Sequence, residues 1–94
     1  MTAVTIRVSA PLRPFTGGQS KVAVEATTVR DALDRLGEDH TELVARIRDE
    51  RGDVREFVNV FLGSTNVTEL GGLEAEVRAG DVLTILPAVA GGAR

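Results

Sequence analysis

The hydrophobic positions of this chain change period twice, and each change marks an element. Val4, Ile6 and Val8 alternate with Thr5, Arg7 and Ser9, the period-two signature of a strand with one buried face. Pro11 and Pro14 then interrupt pairing, and Thr16-Gly17-Gly18-Gln19 supplies a turn. Alternation resumes from Lys21 to Ala26, with Val22, Val24 and Ala26 on one side. The two runs predict an N-terminal hairpin with a long, irregular connection. At Thr27-Thr28 the period becomes helical, because Val29, Ala32, Leu33 and Leu36 fall at i, i+3, i+4 and i+7. Thr28 suits the N-cap, Asp31 the first turn and Gly37 the C′ position. A shorter helical pattern, Leu43, Val44 and Ile47 with Thr41 as its cap, ends near Arg51-Gly52-Asp53.

Strand periodicity returns from Phe57 to Leu62, where Val58, Val60 and Leu62 alternate with Phe57, Asn59 and Phe61. Gly63-Ser64-Thr65-Asn66 reads as a turn, with Val67 opening a short strand. The stretch from Leu70 to Ala79 reads as a loop with one helical turn. A final apolar strand follows from Asp81 to Leu86, and Pro87, lacking a backbone donor, ends the pairing. The order β-β-α-(α)-β-(β)-β predicts an α+β fold: one main helix packed on one face of a mixed sheet of four to five strands. The first and last strands are both strongly apolar, so they are expected to be central, parallel neighbours. This is the pattern of the β-grasp, or ubiquitin-like, architecture. The expected organisation is a single domain over 1–86 and a flexible C-terminal tail over 87–94.

Composition narrows the chemistry. With 94 residues the core must be modest, and with only 3% aromatics, all phenylalanine, aliphatic side chains must fill it. There is no cysteine to serve as nucleophile, metal ligand or staple, and His40 is the single histidine. His40 stands between the two helical patterns and is expected to be an exposed connector residue, so the chain is not expected to be an enzyme. A net charge of −3, with Arg30, Arg35, Arg46, Arg48, Arg51 and Arg55 interleaved among acids, argues against nucleic acid. No window approaches the roughly 18 apolar residues of a membrane span, and no basic-then-apolar leader pattern is present. A cytoplasmic location is the expectation.

The tail carries the most information. Pro87-Ala88-Val89-Ala90-Gly91-Gly92-Ala93-Arg94 is almost free of side chains. Glycine lacks a Cβ and tolerates unusual backbone angles, so such a segment can thread a narrow channel and present a main-chain carboxyl to another protein's active site. Set against this, termini are commonly disordered and diglycine pairs are not rare; Gly17-Gly18 and Gly71-Gly72 are two others in this chain.

Element order and tail together resemble the bacterial ubiquitin-like sulfur carriers of the ThiS/MoaD superfamily, with the greatest likeness to the CysO-type carriers of actinobacteria. The residues that carry it are Leu12-Arg13-Pro14-Phe15-Thr16-Gly17-Gly18-Gln19, Phe57-Val58-Asn59-Val60-Phe61-Leu62, and the run from Gly80 to Gly92; the last is the most specific. The resemblance implies that the C-terminal glycine carboxylate, here Gly92 with Gly91 as its slim neighbour, is adenylated by an E1-like enzyme. Sulfide then displaces AMP to leave a thiocarboxylate, which a sulfur-accepting synthase consumes in cysteine or secondary-metabolite synthesis. No cofactor is implied for the chain itself, since ATP and any metal would belong to partner enzymes. The resembled carriers end at the second glycine, whereas this chain continues with Ala93-Arg94. Some relatives are made with short extensions that a zinc-dependent JAMM-type peptidase removes, which implies a precursor; the other reading is a divergent paralogue, or an artefactual extension, without processing.

Partner recognition is expected on the sheet face away from the helix. If Val58, Val60 and Leu62 face the helix, Phe57 and Phe61 face outward, and by the same parity Leu86 joins them beside the tail as an apolar patch. A one-residue slip would exchange the faces. Three other roles stay open: the small subunit of a molybdopterin-synthase-like complex, a ubiquitin-like protein modifier, and a plain interaction module with an inert tail.

Overall fold

The computed structural model describes residues 2–87. Five strands form one mixed sheet: β1 (Ala3–Val8), β2 (Lys21–Glu25), β3 (Val58–Leu62), β4 (Thr65–Asn66) and β5 (Val82–Pro87). Their spatial order is β2-β1-β5-β3-β4. As the apolar content of the first and last strands required, β1 and β5 are central and parallel, while β2 and β3 flank them antiparallel. Two helices, α1 (Val29–Asp39) and α2 (Thr41–Ile47), cover one face.

The core follows directly from the two periodicities. The sheet contributes Val4, Ile6, Val8, Val60, Leu83 and Ile85, and the helices contribute Val29, Ala32, Leu33, Leu36, Leu43 and Ile47, all essentially without solvent contact. No phenylalanine is among the buried residues; the buried hydrophobic cluster is aliphatic, with Phe15 packed against it from a partly buried position. The start of α1 is built as the sequence suggests. The Thr28 hydroxyl accepts from the Asp31 N–H at 3.1 Å, and the Asp31 carboxylate accepts from the Thr27 N–H at 3.1 Å, satisfying two donors at the helix entry.

Five local expectations need correction. The connection between β1 and β2 is not irregular: Ala10–Thr16 is a 3₁₀ helix closed by Gly17 at φ 67°. Its prolines are tolerated because short 3₁₀ turns leave donors unused, and Leu12 anchors it in the core. Gly37 does not end α1, which runs on to Asp39, with the His40 N–H donating to the Leu36 carbonyl at 2.9 Å. Thr41 does not cap α2; His40 holds that position, its carbonyl accepting from Val44 N–H, and the Thr41 hydroxyl donates back to the Gly37 carbonyl. Val67 is buried at the start of a 3₁₀ turn, Val67–Leu70, and the short strand precedes it at Thr65–Asn66. His40 itself is half-buried rather than exposed.

Gly37 is explained by packing. A Cβ there would lie 3.4 Å from Val44 Cγ2, so the residue sits where α2 crosses α1, at ordinary van der Waals distance. Its backbone has no positive φ, and glycine inside a helix costs roughly 0.5–1 kcal/mol against alanine. Gly37→Ala is therefore expected to raise stability by up to about 1 kcal/mol, read as a higher urea midpoint at unchanged slope.

The loop leaving α2 is held by Asp49. Its carboxylate accepts the N–H groups of Arg51 at 2.9 Å and Asp53 at 3.1 Å. Desolvation pushes this acid upward, but those two donors, with the Arg51 and Arg55 guanidinium groups, outweigh it and hold the carboxyl below its ordinary value. Among the described residues no helix is long and apolar enough to cross a membrane.

Candidate functional site

The site is built around the exit of β5. That strand lies between β1 and β3: β1 accompanies it as far as Ile85, and β3 continues to its last residue, where Pro87 pairs with Val58. The ladder thus includes Pro87 instead of stopping ahead of it. Proline at a strand's end forfeits no required donor. Leu83 and Ile85 point into the core and are fully buried, whereas Leu86 is 39% exposed on the opposite face. Gly91 and Gly92, and Ala93-Arg94 after them, lie outside the described residues.

The outer face of the sheet can be read from the registers. Lys21, Arg7, Thr84, Phe61 and Asn66 stand side by side in one row across all five strands. Leu86 pairs with Asn59 in the next position, which makes Phe61 and Leu86 diagonal neighbours, within reach of side-chain contact. Phe61 is half-buried and is not packed against the core.

Phe57 is placed elsewhere. The Val58 N–H donates to the Arg55 carbonyl at 3.0 Å, so the chain turns immediately before β3 and strand alternation does not extend to Phe57. Its side chain, 62% exposed, lines an open hollow of about 560 Å³ with Leu12, Ala45, Arg46, Val58 and Pro87. The expected trio is thus split: Phe61 and Leu86 share the outer face, while Phe57 flanks the tail root from the helix side. This second surface was not foreseen from the sequence. Its signal was the proline-rich segment after β1, whose 3₁₀ geometry brings Leu12 under the tail root. Arg46 lies 4.3 Å above the Phe15 ring, and the Arg55 Nε donates to the Ala45 carbonyl at 3.2 Å, so two guanidinium groups are fixed at the rim.

A framed strand delivering a near side-chain-free tail, bordered by apolar surface on both sides, is the arrangement of a ubiquitin-like carrier. The chain belongs to the ThiS family, whose family model matches residues 6–92. It is 36% identical over 91 residues to the sulfur carrier protein CysO of Mycobacterium tuberculosis, covering 95% of this chain and 98% of that relative. Among solved structures, a chain of the Amycolatopsis orientalis BexX/CysO complex superposes with a TM-score of 0.87 at 43% identity, covering 95% of this chain and 99% of that one. SAMP1 of Haloferax volcanii superposes with a TM-score of 0.81 at 29% identity, covering 96% and 99%. The fold is accordingly the β-grasp of CysO-like sulfur carriers.

Proposed function

We propose that the protein carries sulfur on the carbonyl carbon of Gly92. Removal of Ala93-Arg94 by a JAMM-type zinc peptidase frees the Gly92 carboxylate. An E1-like enzyme adenylates it, sulfide displaces AMP, and the thiocarboxylate gives its sulfur to a cysteine-synthase-like or secondary-metabolite enzyme. The observation that carries this reading is that the family match runs to residue 92 and ends there, two residues before Arg94. The match therefore closes on the second glycine of Gly91-Gly92.

The chemistry suits the composition. A carboxylate is a poor electrophile, and its acyl-adenylate supplies the leaving group that sulfide needs. With sulfur held on the main chain, no cysteine is required, and none is present. The BexX/CysO complex of Amycolatopsis orientalis supports docking of such a carrier on a second protein. We assign that contact to the outer-face pair Phe61 and Leu86, with Phe57 extending it around the tail root. Phe61→Ala is expected to weaken binding to the activating enzyme at least tenfold while lowering stability far less than a core truncation does. Titration of the enzyme against both forms, alongside urea unfolding, checks both halves; unchanged affinity would remove Phe61 from the contact.

The direct test is a mass spectrum of the chain ending at Gly92 after incubation with ATP, sulfide and the cell's own activating enzyme. One oxygen exchanged for sulfur at the C-terminus is expected. Likeness to SAMP1, a small archaeal modifier protein, favours one second reading, a ubiquitin-like modifier joined through Gly92 to lysines of other proteins. Conjugates in which a lysine of another protein is joined to the C-terminal peptide ending at Gly92 would identify that role.

A further inference from the structure

The sheet ends on one side at β2, and two hydrogen bonds that bracket its ladder with β1 fix which way its backbone groups point. The Val8 N–H donates to the Ser20 carbonyl at 2.8 Å, and the Ala26 N–H donates to the Thr2 carbonyl at 2.8 Å. Antiparallel pairing alternates, so Val22 and Val24 turn their N–H and C=O groups toward β1, while those of Lys21, Ala23 and Glu25 point away from the sheet. Among the described residues these outward groups have no backbone partner. The next outward carbonyl, that of Thr27, already accepts from the Val77 N–H at 3.0 Å, which bounds the open edge. An edge of this kind is a template for another strand, and its side chains select which one. Lys21 and Glu25 are exposed at opposite ends of β2, and neither makes an ion pair among the described residues. Lys21 also stands opposite Arg7, and like charges facing each other across a pair are unfavourable. One end of the edge is doubly positive and calls for a carboxylate; the other end offers one.

From this edge we infer that the chain pairs with a second copy of itself, β2 against β2, antiparallel about Ala23. In that register Lys21 faces Glu25 of the second copy, Ala23 faces its counterpart, and Glu25 faces Lys21. Each facing pair exchanges two hydrogen bonds, so every outward group finds a partner and both charges are matched. Other registers lose on both counts. Sliding by two residues drops one facing pair and sets a charge opposite Ala23. Sliding by four leaves one facing pair, and it brings lysine to lysine or glutamate to glutamate. Parallel pairing also sets like charges side by side. On the helix side the partly buried Val22 and Val24 meet Val24 and Val22 of the second copy, which continues the apolar face. The two-fold axis stands perpendicular to the sheet, so both outer faces look the same way and the two tail roots leave at opposite ends. The contact lies in the plane of the sheet. Leu86 and Phe61 sit on β5 and β3, beyond β1, about 10–15 Å from the edge, and stay uncovered. The inference is independent of the reading of Gly92. A ladder of five residues a side falls short of the roughly 1,200 Å² that stable interfaces bury, so the pair forms reversibly.

The test is sedimentation and amide exchange of the whole chain across a concentration series reaching about 1 mM, where weak contacts of this size are populated. The mass should rise toward two copies. Slowing of exchange should concentrate on the N–H groups of Lys21, Ala23 and Glu25, with Val22 and Val24 already protected at low concentration. Lys21→Glu sets carboxylate against carboxylate at both ends of the ladder and should weaken association at least about tenfold. Glu25→Lys should do the same with two positive ends. Both sites are exposed, and an unchanged urea midpoint confirms that each variant folds. Combining the two substitutions exchanges the charges, restores the match and should recover association. A single-copy mass throughout, association that Lys21→Glu leaves intact, or a double variant no better than the single ones would overturn the inference. Protection centred on β3 and β5 would overturn it too, by assigning self-contact to the apolar patch beside the tail root.

Discussion

A chain ending at Gly92 should accept AMP from ATP in the presence of its activating enzyme, and the same chain carrying Ala93-Arg94 should accept none. The difference is expected to be close to all-or-none. Adenylation needs a carboxylate oxygen to attack the α-phosphorus and expel pyrophosphate. In the longer form the Gly92 carbonyl belongs to an amide, which has no such oxygen, and the only free carboxylate within reach would belong to a bulky arginine. Pyrophosphate release measured on equal amounts of the two forms separates them. Equal release would mean that the extension is tolerated and that the reacting carbon is not Gly92. Side-chain bulk supplies a second measure of the same site. Gly91→Val in the shortened chain adds a branched side chain where the tail must lie close to the nucleotide, and misplacing a reacting group by about 1 Å costs about 10²-fold in rate. A loss of that order in pyrophosphate release, with unfolding unchanged, is the expected result. Full activity would show that the channel does not grip the tail at this position.

How much of this was legible beforehand differs between elements for physical reasons. The stripe Val29, Ala32, Leu33 and Leu36 gave α1 its buried face, and all four are buried. Parity in the last strand likewise set Leu83 and Ile85 inward, because the Gly80 turn fixes where that strand begins and it pairs with β1 on one side and β3 on the other. Helix ends were less legible. Gly37 has the composition of a stop signal, yet Val44 packs against it and the helix continues; a contact between elements decided the outcome, and local preference could not express it. Phe57 fell outside the alternation for a similar reason, since the Arg55–Val58 hydrogen bond is a turn that hydrophobic period does not report. The tail glycines were read from sequence alone, and their role stands on the family match and on chemistry.

Neighbouring residues on β5 should respond in opposite ways to the same truncation. Ile85 is fully buried between the helices and the sheet, while Leu86, one residue on, is 39% exposed. Ile85→Ala removes buried methyl and methylene groups and leaves a cavity, at a cost of about 2–5 kcal/mol. A domain of this length has total stability of about 5–14 kcal/mol, so the substitution consumes a large share of it and can leave a marginal fold. Leu86→Ala should cost less than about 1 kcal/mol and should instead weaken binding of the activating enzyme. Urea midpoints at a common slope provide the first comparison, and enzyme affinity measured below the unfolding range provides the second. A one-residue slip of β5 would invert the pair, moving the large stability loss to Leu86. Equal losses at both positions would mean that neither face of this strand is free, and that the surface beside the tail root is not available to a partner.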